Sequence, residues 1–441
     1  MKIFILFILI ISILFPSVVI SQEVWTLQRC IEHAKEMNLD LKIMRNVEKK
    51  STYDLYQSKW NLAPSINANA NTYFNLKRAA DADYNISSGT SYSLSYNLSS
   101  SLTLFEGFTK LNSIAAAKFY KLATSESSEL HTIMLVQEVT ELYFQVLYQR
   151  SLLEVAHKTL DISIFESERI AATIETGQLE AVAQNEINAV VSANKLEYNK
   201  AENMYKLLKL RLLQLIEIPI DNDFEISDTD LLYPTPIELL LNSDSLYIET
   251  CINYPAVLQK EYELEYYRKL LNISKGNHSP SIVAFGGINS GFYSTDTQPS
   301  GNITPIDTQF EKYLSPSLGA SLNIPVFNGK YRTFNTKKSK IDLENAMYNL
   351  EIQKKQIRKE IEEAVLKLYS LWLEYQSASD NLEFTQKSFD TYREKFQLGM
   401  INTTDFLNIQ NQLSLAVTNL LLAKYSWIVQ KMTIDIFTSR Y

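Results

Sequence analysis

The stretch SYSLSYNLSSSLTLFEGF, residues 91–108, places Tyr or Leu at every even position from Tyr92 to Leu104 except Ser100. Every odd position from Ser91 to Thr103 is Ser, Asn or Thr. A strand with this pattern has one apolar face and one hydroxyl-rich face. The alternation runs far past the about 5–6 residues of an ordinary strand, and no charge interrupts it before Glu106. After Ser21 no apolar run reaches the about 18 residues that a membrane helix needs. A mature chain that enters a membrane must therefore do so with strands.

The N-terminus, MKIFILFILIISILFPSVVISQ, has one Lys, an apolar run from Ile3 to Phe15 and small residues up to Ser21. It reads as a secretory signal cleaved after Ser21. Net charge is -8, and no basic motif for nucleic acid stands out. Two cysteines, Cys30 and Cys251, make no disulfide framework and are not expected to pair, and four scattered histidines make no metal cluster. No catalytic triad, metal-ligand spacing or Gly-rich phosphate loop is present, so an enzyme and a bound cofactor are not expected.

The text of the chain returns. Gly107 in TLFEGF and Gly329 in PVFNGK lie 222 residues apart, and so do Gly177 in ETGQLEAVAQNEINA and Gly399 in QLGMINTTDFLNIQN. The long strand returns as SPSLGASLNIPVFNG, with Leu314, Pro316, Leu318, Ala320, Leu322 and Ile324 at alternate positions. This is a tandem duplication in which each copy reads helix, strand, loop, strand, long helix, turn, helix. Polar loops are expected at about 75–90 and 294–312, flanked by aromatics (Tyr73, Phe74, Tyr92, Phe292, Tyr293, Tyr313) that suit a membrane interface.

Between Gly329 and Gly399 there is neither Gly nor Pro. Leu350, Ile357, Ile361, Ala364, Leu368, Leu371, Tyr375, Ala378, Leu382, Phe389, Tyr392 and Phe396 form a heptad seam. Such a helix spans roughly 100 Å at 1.5 Å per residue. The first copy behaves alike, so two helical hairpins are expected to turn at Gly177 and Gly399, where glycine permits positive φ. Four amphipathic strands per chain leave open edges, which hydrocarbon does not tolerate. Several chains must then close one barrel, with Tyr92, Leu94, Tyr96, Leu98, Leu102, Leu104, Leu314, Leu318 and Leu322 toward lipid.

The duplicated plan, the TLFEGF and PVFNGK strand exits and the QLGMINTTDFLNIQN turn resemble the TolC-like outer-membrane efflux proteins. The resemblance covers about Trp25 to Phe437. It implies an α+β membrane protein: a homotrimeric 12-stranded β-barrel continued by a long α-helical periplasmic tunnel, in the outer membrane of a Gram-negative bacterium. It implies an exit duct for tripartite efflux or type I secretion, passing a drug, dye, metal ion or protein. The implied partners are outer-membrane lipid, a periplasmic adaptor and an inner-membrane pump, proton-driven (RND) or ATP-driven (ABC). The expected organisation is a signal peptide (1–21), a periplasmic helix (22–64), strand pair 1 (65–105) and hairpin 1 (106–216), then a linker (217–245). The second copy follows as a periplasmic helix (246–280), strand pair 2 (281–328) and hairpin 2 (329–438), with strand–helix junctions at Gly107 and Gly329.

The family closes its periplasmic end with an acidic ring. Counted from the turn glycine, Asp405 falls on its first acidic position, Asn408 on the second, and Ile401 where some members place an Arg. The resemblance thus implies a pore entrance at Asp405, Asn408 and Ile401 that is less charged than usual. Asp405 equally suits a helix N-terminus, with Thr403 or Thr404 as cap. The rival reading is a pore-less periplasmic coiled-coil scaffold or adaptor; a simple diffusion porin would need at least eight strands in its own chain.

Overall fold

The computed structural model describes residues 24–80, 86–177, 181–219, 224–227, 234–235, 243–296 and 301–438. The expected signal peptide, parts of the 217–245 segment, residues 81–85 and 297–300 of the two strand loops, and Leu179 in the first hairpin turn lie outside the described residues. In chain order the elements are β1 (Val24–Trp25), α1 (Leu27–Met37), α2 (Leu39–Trp60), β2 (Ser65–Ala80), β3 (Ile86–Glu106), α3 (Thr109–Glu175), α4 (Val182–Leu215) and β4 (Glu225–Ile226). There follow α5 (Ser243–Asn253), α6 (Pro255–Gly276), β5 (Ser281–Tyr293), α7 (Ile306–Lys312), β6 (Ser315–Asn323), α8 (Tyr331–Gln397) and α9 (Thr403–Thr438). The fold is mostly helical with one four-stranded sheet.

Three expectations need correction. The single helix over 22–64 is a short strand and two helices. Asn38 makes the break: its backbone N–H closes α1 on Ala34, and its side chain accepts the Leu41 N–H at 3.0 Å to cap α2. The segment over 246–280 is likewise two helices, divided before Pro255, which begins α6 where a missing N–H costs nothing. The polar loop expected over 75–90 is mostly strand, because β2 and β3 pair from Ser65–Ser101 up to Ala80–Ile86.

The chain divides into two compact units, Met1–Met44 with Glu129–Tyr254 and Lys355–Tyr441, and Arg45–Ser128 with Pro255–Lys354. The first is helical around the heptad seam. Ile357, Ile361, Ala364, Leu368, Leu371, Phe389 and Phe396 of α8 are buried, as are Phe406, Ile409, Ala416, Ala423 and Trp427 of α9. Tyr392, assigned to the same seam, is exposed. This unit also holds a parallel ladder, β1 on β4, that the sequence pattern did not signal. The Tyr143 hydroxyl lies 3.1 Å from the Trp25 carbonyl and 2.8 Å from the Ser227 carbonyl, tying the ladder to α3. Cys30 and Cys251 are both free, and burial pushes the Cys30 thiol up to about 12.

The second unit contains the sheet, in order β2-β3-β5-β6 with every pair antiparallel. Beyond β6, the end of β5 is covered by α7. The fully buried Gln309 accepts the Tyr293 N–H at 2.8 Å and donates to the Tyr293 carbonyl at 3.1 Å, taking the place of a neighbouring strand. No described helix is long and apolar enough to cross a membrane.

Strand β3 leaves the sheet through Gly107 and Phe108, both left-handed at φ 57° and 60°. Gly329 and Lys330, after β6, repeat the conformation at 64° and 63°. Gly107 is also a close approach: a Cβ there would sit 2.1 Å from the Gly276 carbonyl oxygen. Nothing lies within 4 Å of a Cβ at Gly329. Gly329→Ala therefore meets only the left-handed backbone cost of about 1–2 kcal/mol. Gly107→Ala adds a backbone clash and is expected to abolish the native junction; thermal melts of the two variants in detergent should separate them clearly.

Candidate channel-forming surfaces

Directly opposed residues in a β-ladder share a face, and neighbours along a strand alternate. Ala68 faces Leu98, which faces Ile288, which faces Pro316; Phe74 faces Tyr92, and Leu94 faces Phe292. On β6 the same parity takes in Leu318 and Leu322, opposite Gly286 and Ile282. One face of the sheet is thus largely apolar across all four strands. The other carries Asn67, Asn69 and Asn71 on β2, Ser93 to Ser101 at odd positions on β3, Asn289 on β5, and Ser315, Ser317 and Ser321 on β6. Asn69, Asn97 and Asn289 lie side by side in register, and the last two share a side-chain hydrogen bond.

Most of the strand residues named from sequence fall on the apolar face: Tyr92, Leu94, Tyr96, Leu98 and Leu102, with Leu318 and Leu322. Two do not fit the ladder as expected. The register slips between Thr103 and Phe105, so Leu104 has no partner on β5 and Phe105 stands opposite Ile282 instead. Leu314 precedes β6 and lies outside the ladder, though exposed. The irregular stretch SIVAFGGINSGF, whose alternation is poor, becomes intelligible in the sheet. Phe285 lies on the polar face, where its ring covers Gly319; a Cβ at Gly319 would be 2.7 Å from Phe285 Cζ.

Each long helix reaches its hairpin turn on a left-handed glycine. Gly177 and Gly399 have φ of 75° and 72°. At the second, the Gly399 N–H donates to the Phe396 carbonyl at 3.1 Å and the Met400 N–H to the Lys395 carbonyl at 2.8 Å. These two bonds satisfy the last carbonyls of α8 and require a left-handed residue between them. Helix α9 then begins under a different cap from the one expected. Asn402, not Thr403 or Thr404, accepts the Asp405 N–H, at 2.8 Å. Asp405 and Asn408 are exposed. Ile401 is half-buried against an apolar cluster of Ile170, Ile187, Phe389, Phe396, Phe406 and Ile409, which joins both hairpins behind their turns.

Sequence reading missed the polar part of this cluster. Phe396 stacks on Phe406 with ring centres 4.5 Å apart and planes at 5°. Arg169 of α3 lies over the Phe396 ring, its guanidinium 4.5 Å from the ring centre. Its Nε donates to Glu166 at 2.7 Å, and Glu166 is buried. The i,i+3 spacing of Glu166 and Arg169 is visible in the sequence, but only folding shows that the pair closes on the other hairpin.

A family model described as outer membrane efflux protein matches residues 30–216 and 246–435, nearly all of the described chain. The chain belongs to the outer membrane efflux protein family. Its curated relatives include the outer membrane efflux protein BepC of Brucella suis biovar 1 (strain 1330), 21% identical over 352 residues, 78% of this chain and 73% of that protein. The fold is similar to that of CusC, with a TM-score of 0.80 at 17% identity over 94% of this chain and 92% of that one. It is also similar to the outer membrane protein VceC of Vibrio cholerae, with a TM-score of 0.76 at 13% identity over 94% and 96% of the two chains. Like its family, the chain is an outer-membrane efflux channel with a periplasmic helical portion.

The tip cluster yields a stability ranking for this efflux protein. Phe406→Ala opens a cavity in the stack and is expected to cost about 3–5 kcal/mol. Arg169→Ala leaves the buried Glu166 carboxylate without its partner and is expected to cost about 1–3 kcal/mol. Asp405→Ala is expected to stay within about 0.5 kcal/mol. Urea titration followed by tryptophan fluorescence checks the order.

Proposed function

We propose that three copies of this chain close a twelve-stranded barrel, with β6 of each copy pairing with β2 of the next. The register of the four strands carries this reading: one largely apolar face, one face rich in Asn and Ser, and two outer strands with free edges. Unpaired strand edges are not tolerated in hydrocarbon, and closure by further copies removes them. The apolar face then meets lipid and the Asn/Ser face lines the lumen. A pore-less periplasmic scaffold has no use for a sheet whose apolar face is exposed at Leu318 (91%) and Leu322 (61%).

The helices continue the barrel as a periplasmic duct. The matching left-handed pairs after β3 and β6, and the matching turn glycines, support reading the chain as two copies of one unit. Three chains then present six similar hairpins, which suits docking to a periplasmic adaptor of sixfold symmetry and, through it, an inner-membrane pump of the RND or ABC type. At the hairpin turns Asp405 is the acidic residue of the pore entrance, with Asn408 one helical turn further on, while Ile401 anchors the turn to the tip cluster rather than closing the pore. A threefold ring of Asp405 carboxylates in a narrow pore concentrates cations and repels anions.

Single-channel recording of the detergent-extracted protein in a planar bilayer tests both parts. The expected result is long-lived steps with a cation preference that falls toward unity in Asp405→Asn. Steps with the same ion preference in Asp405→Asn would remove Asp405 from the entrance. A protein that folds without detergent and leaves bilayers silent would remove the barrel.

A further inference from the structure

The end of the sheet from which the helices run carries a charge and an aromatic composition that the channel reading does not use. The ladder ends Ser65–Ser101, Glu106–Ser281 and Ser281–Asn323 bring the four strand–helix junctions to this one end. Two junctions arrive on helices with an exposed cation in the last turn, Lys59 of α2 and Lys275 of α6. A third carries Lys110, whose ammonium donates to the Asn61 carbonyl at 2.7 Å. The fourth carries Lys330, Arg332, Lys337, Lys338 and Lys340. Across residues 59–64, 106–112, 274–281 and 324–340 the only carboxylate is Glu106. The whole chain has 42 basic and 50 acidic residues, so this cationic band runs against its overall charge.

Helix electrostatics accounts for part of the band and not for the rest. Lys59 and Lys275 sit at helix C-termini, where a cation is favoured. Lys330 and Arg332 sit at the N-terminus of α8, where the same dipole disfavours them, and the first turn of α8 has no acidic residue. Among the described residues no carboxylate pairs with any of these cations. The same junctions expose large aromatic rings: Trp60 (76%), Phe108 (63%), Phe327 (81%) and Tyr331 (68%). Aromatic rings with interleaved cations at the end of an apolar strand face are what a lipid headgroup layer accommodates.

We infer that the strand–helix junctions form a girdle that binds anionic phospholipid headgroups of the leaflet on the helical side of the membrane. This rests on the barrel reading above. In the barrel reading the segment after β6 lies beside the segment before β2 of the next copy, and residues 59–64 there bring a further cation, Lys59, and no carboxylate. A phosphate-bearing headgroup supplies the opposite charge, and its acyl chains cover the rings. Trp60 reports on the girdle directly, because it lies among the exposed rings.

The assembled full chain is reconstituted into phosphatidylcholine vesicles containing phosphatidylglycerol, with bromine placed on the acyl chains of one lipid at a time. The Trp60 signal is the difference between the native protein and Trp60→Phe. Brominated phosphatidylglycerol is expected to quench Trp60 about fivefold more per mole than brominated phosphatidylcholine. The preference is expected to vanish in a combined Lys330→Gln, Arg332→Gln, Lys337→Gln, Lys338→Gln variant. In the native protein it should collapse at about 1 M salt, a control that needs no mutation. Equal quenching by the two lipids overturns headgroup recognition, and no quenching by either overturns the girdle. A preference that survives the combined variant overturns the role of these cations. Loss of the preference to inorganic phosphate at constant ionic strength overturns the lipid as the ligand in favour of a free anion. Failure of the protein to float with the vesicles defeats the barrel itself, and this inference with it.

Discussion

A backbone amide in hydrocarbon has no water to bond, so every N–H and C=O in the membrane needs a partner within the protein. In the proposed barrel the four strands of this efflux protein meet that demand on their inner edges, and β2 and β6 meet it through the neighbouring copies. The remaining features of the sheet follow from it. Register must be held to the residue, since a slip of one would turn every apolar side chain to the polar face. The single irregularity, at Leu104, falls just before the strand exit, where a bulge can bend the chain toward α3 without disturbing the ladder above it. Where β5 outruns β6, the side chain of Gln309 stands in for the missing strand.

The helical unit solves a different problem. A heptad seam buries a narrow stripe, so a long hairpin is stable only against a partner. The cluster behind the turns joins the two hairpins through Ile170, Ile187, Phe396 and Phe406. The Arg169–Glu166 pair places a buried carboxylate inside this contact, with the half-exposed guanidinium stacked on Phe396. Asp405 stands next to Phe406 but on the exposed side of α9. Adjacent positions in sequence therefore divide between holding the tip together and presenting charge.

Much of this was legible in the residues. Strict alternation in β3 and β6, the seam of α8 and α9, and glycine at each turn each follow from a period or a backbone requirement that one element imposes by itself. The breaks at Asn38 and Pro255 were missed, although a capping side chain and a missing N–H mark them locally. Strand β5 was not legible. Its Phe285 sits on the polar face because Gly319, on another strand, leaves room for the ring.

The sequence by itself determined the local periods: which residues alternate, which recur every three or four, and where the backbone must turn left-handed. These depend on neighbours along the chain. The tertiary structure alone decided which elements meet: β1 with β4, Gly107 with Gly276, Arg169 with Phe396, and the gathering of cations from four separate segments at one end of the sheet. Each of these joins residues from distant parts of the chain, and no pattern within either segment carries information about the other.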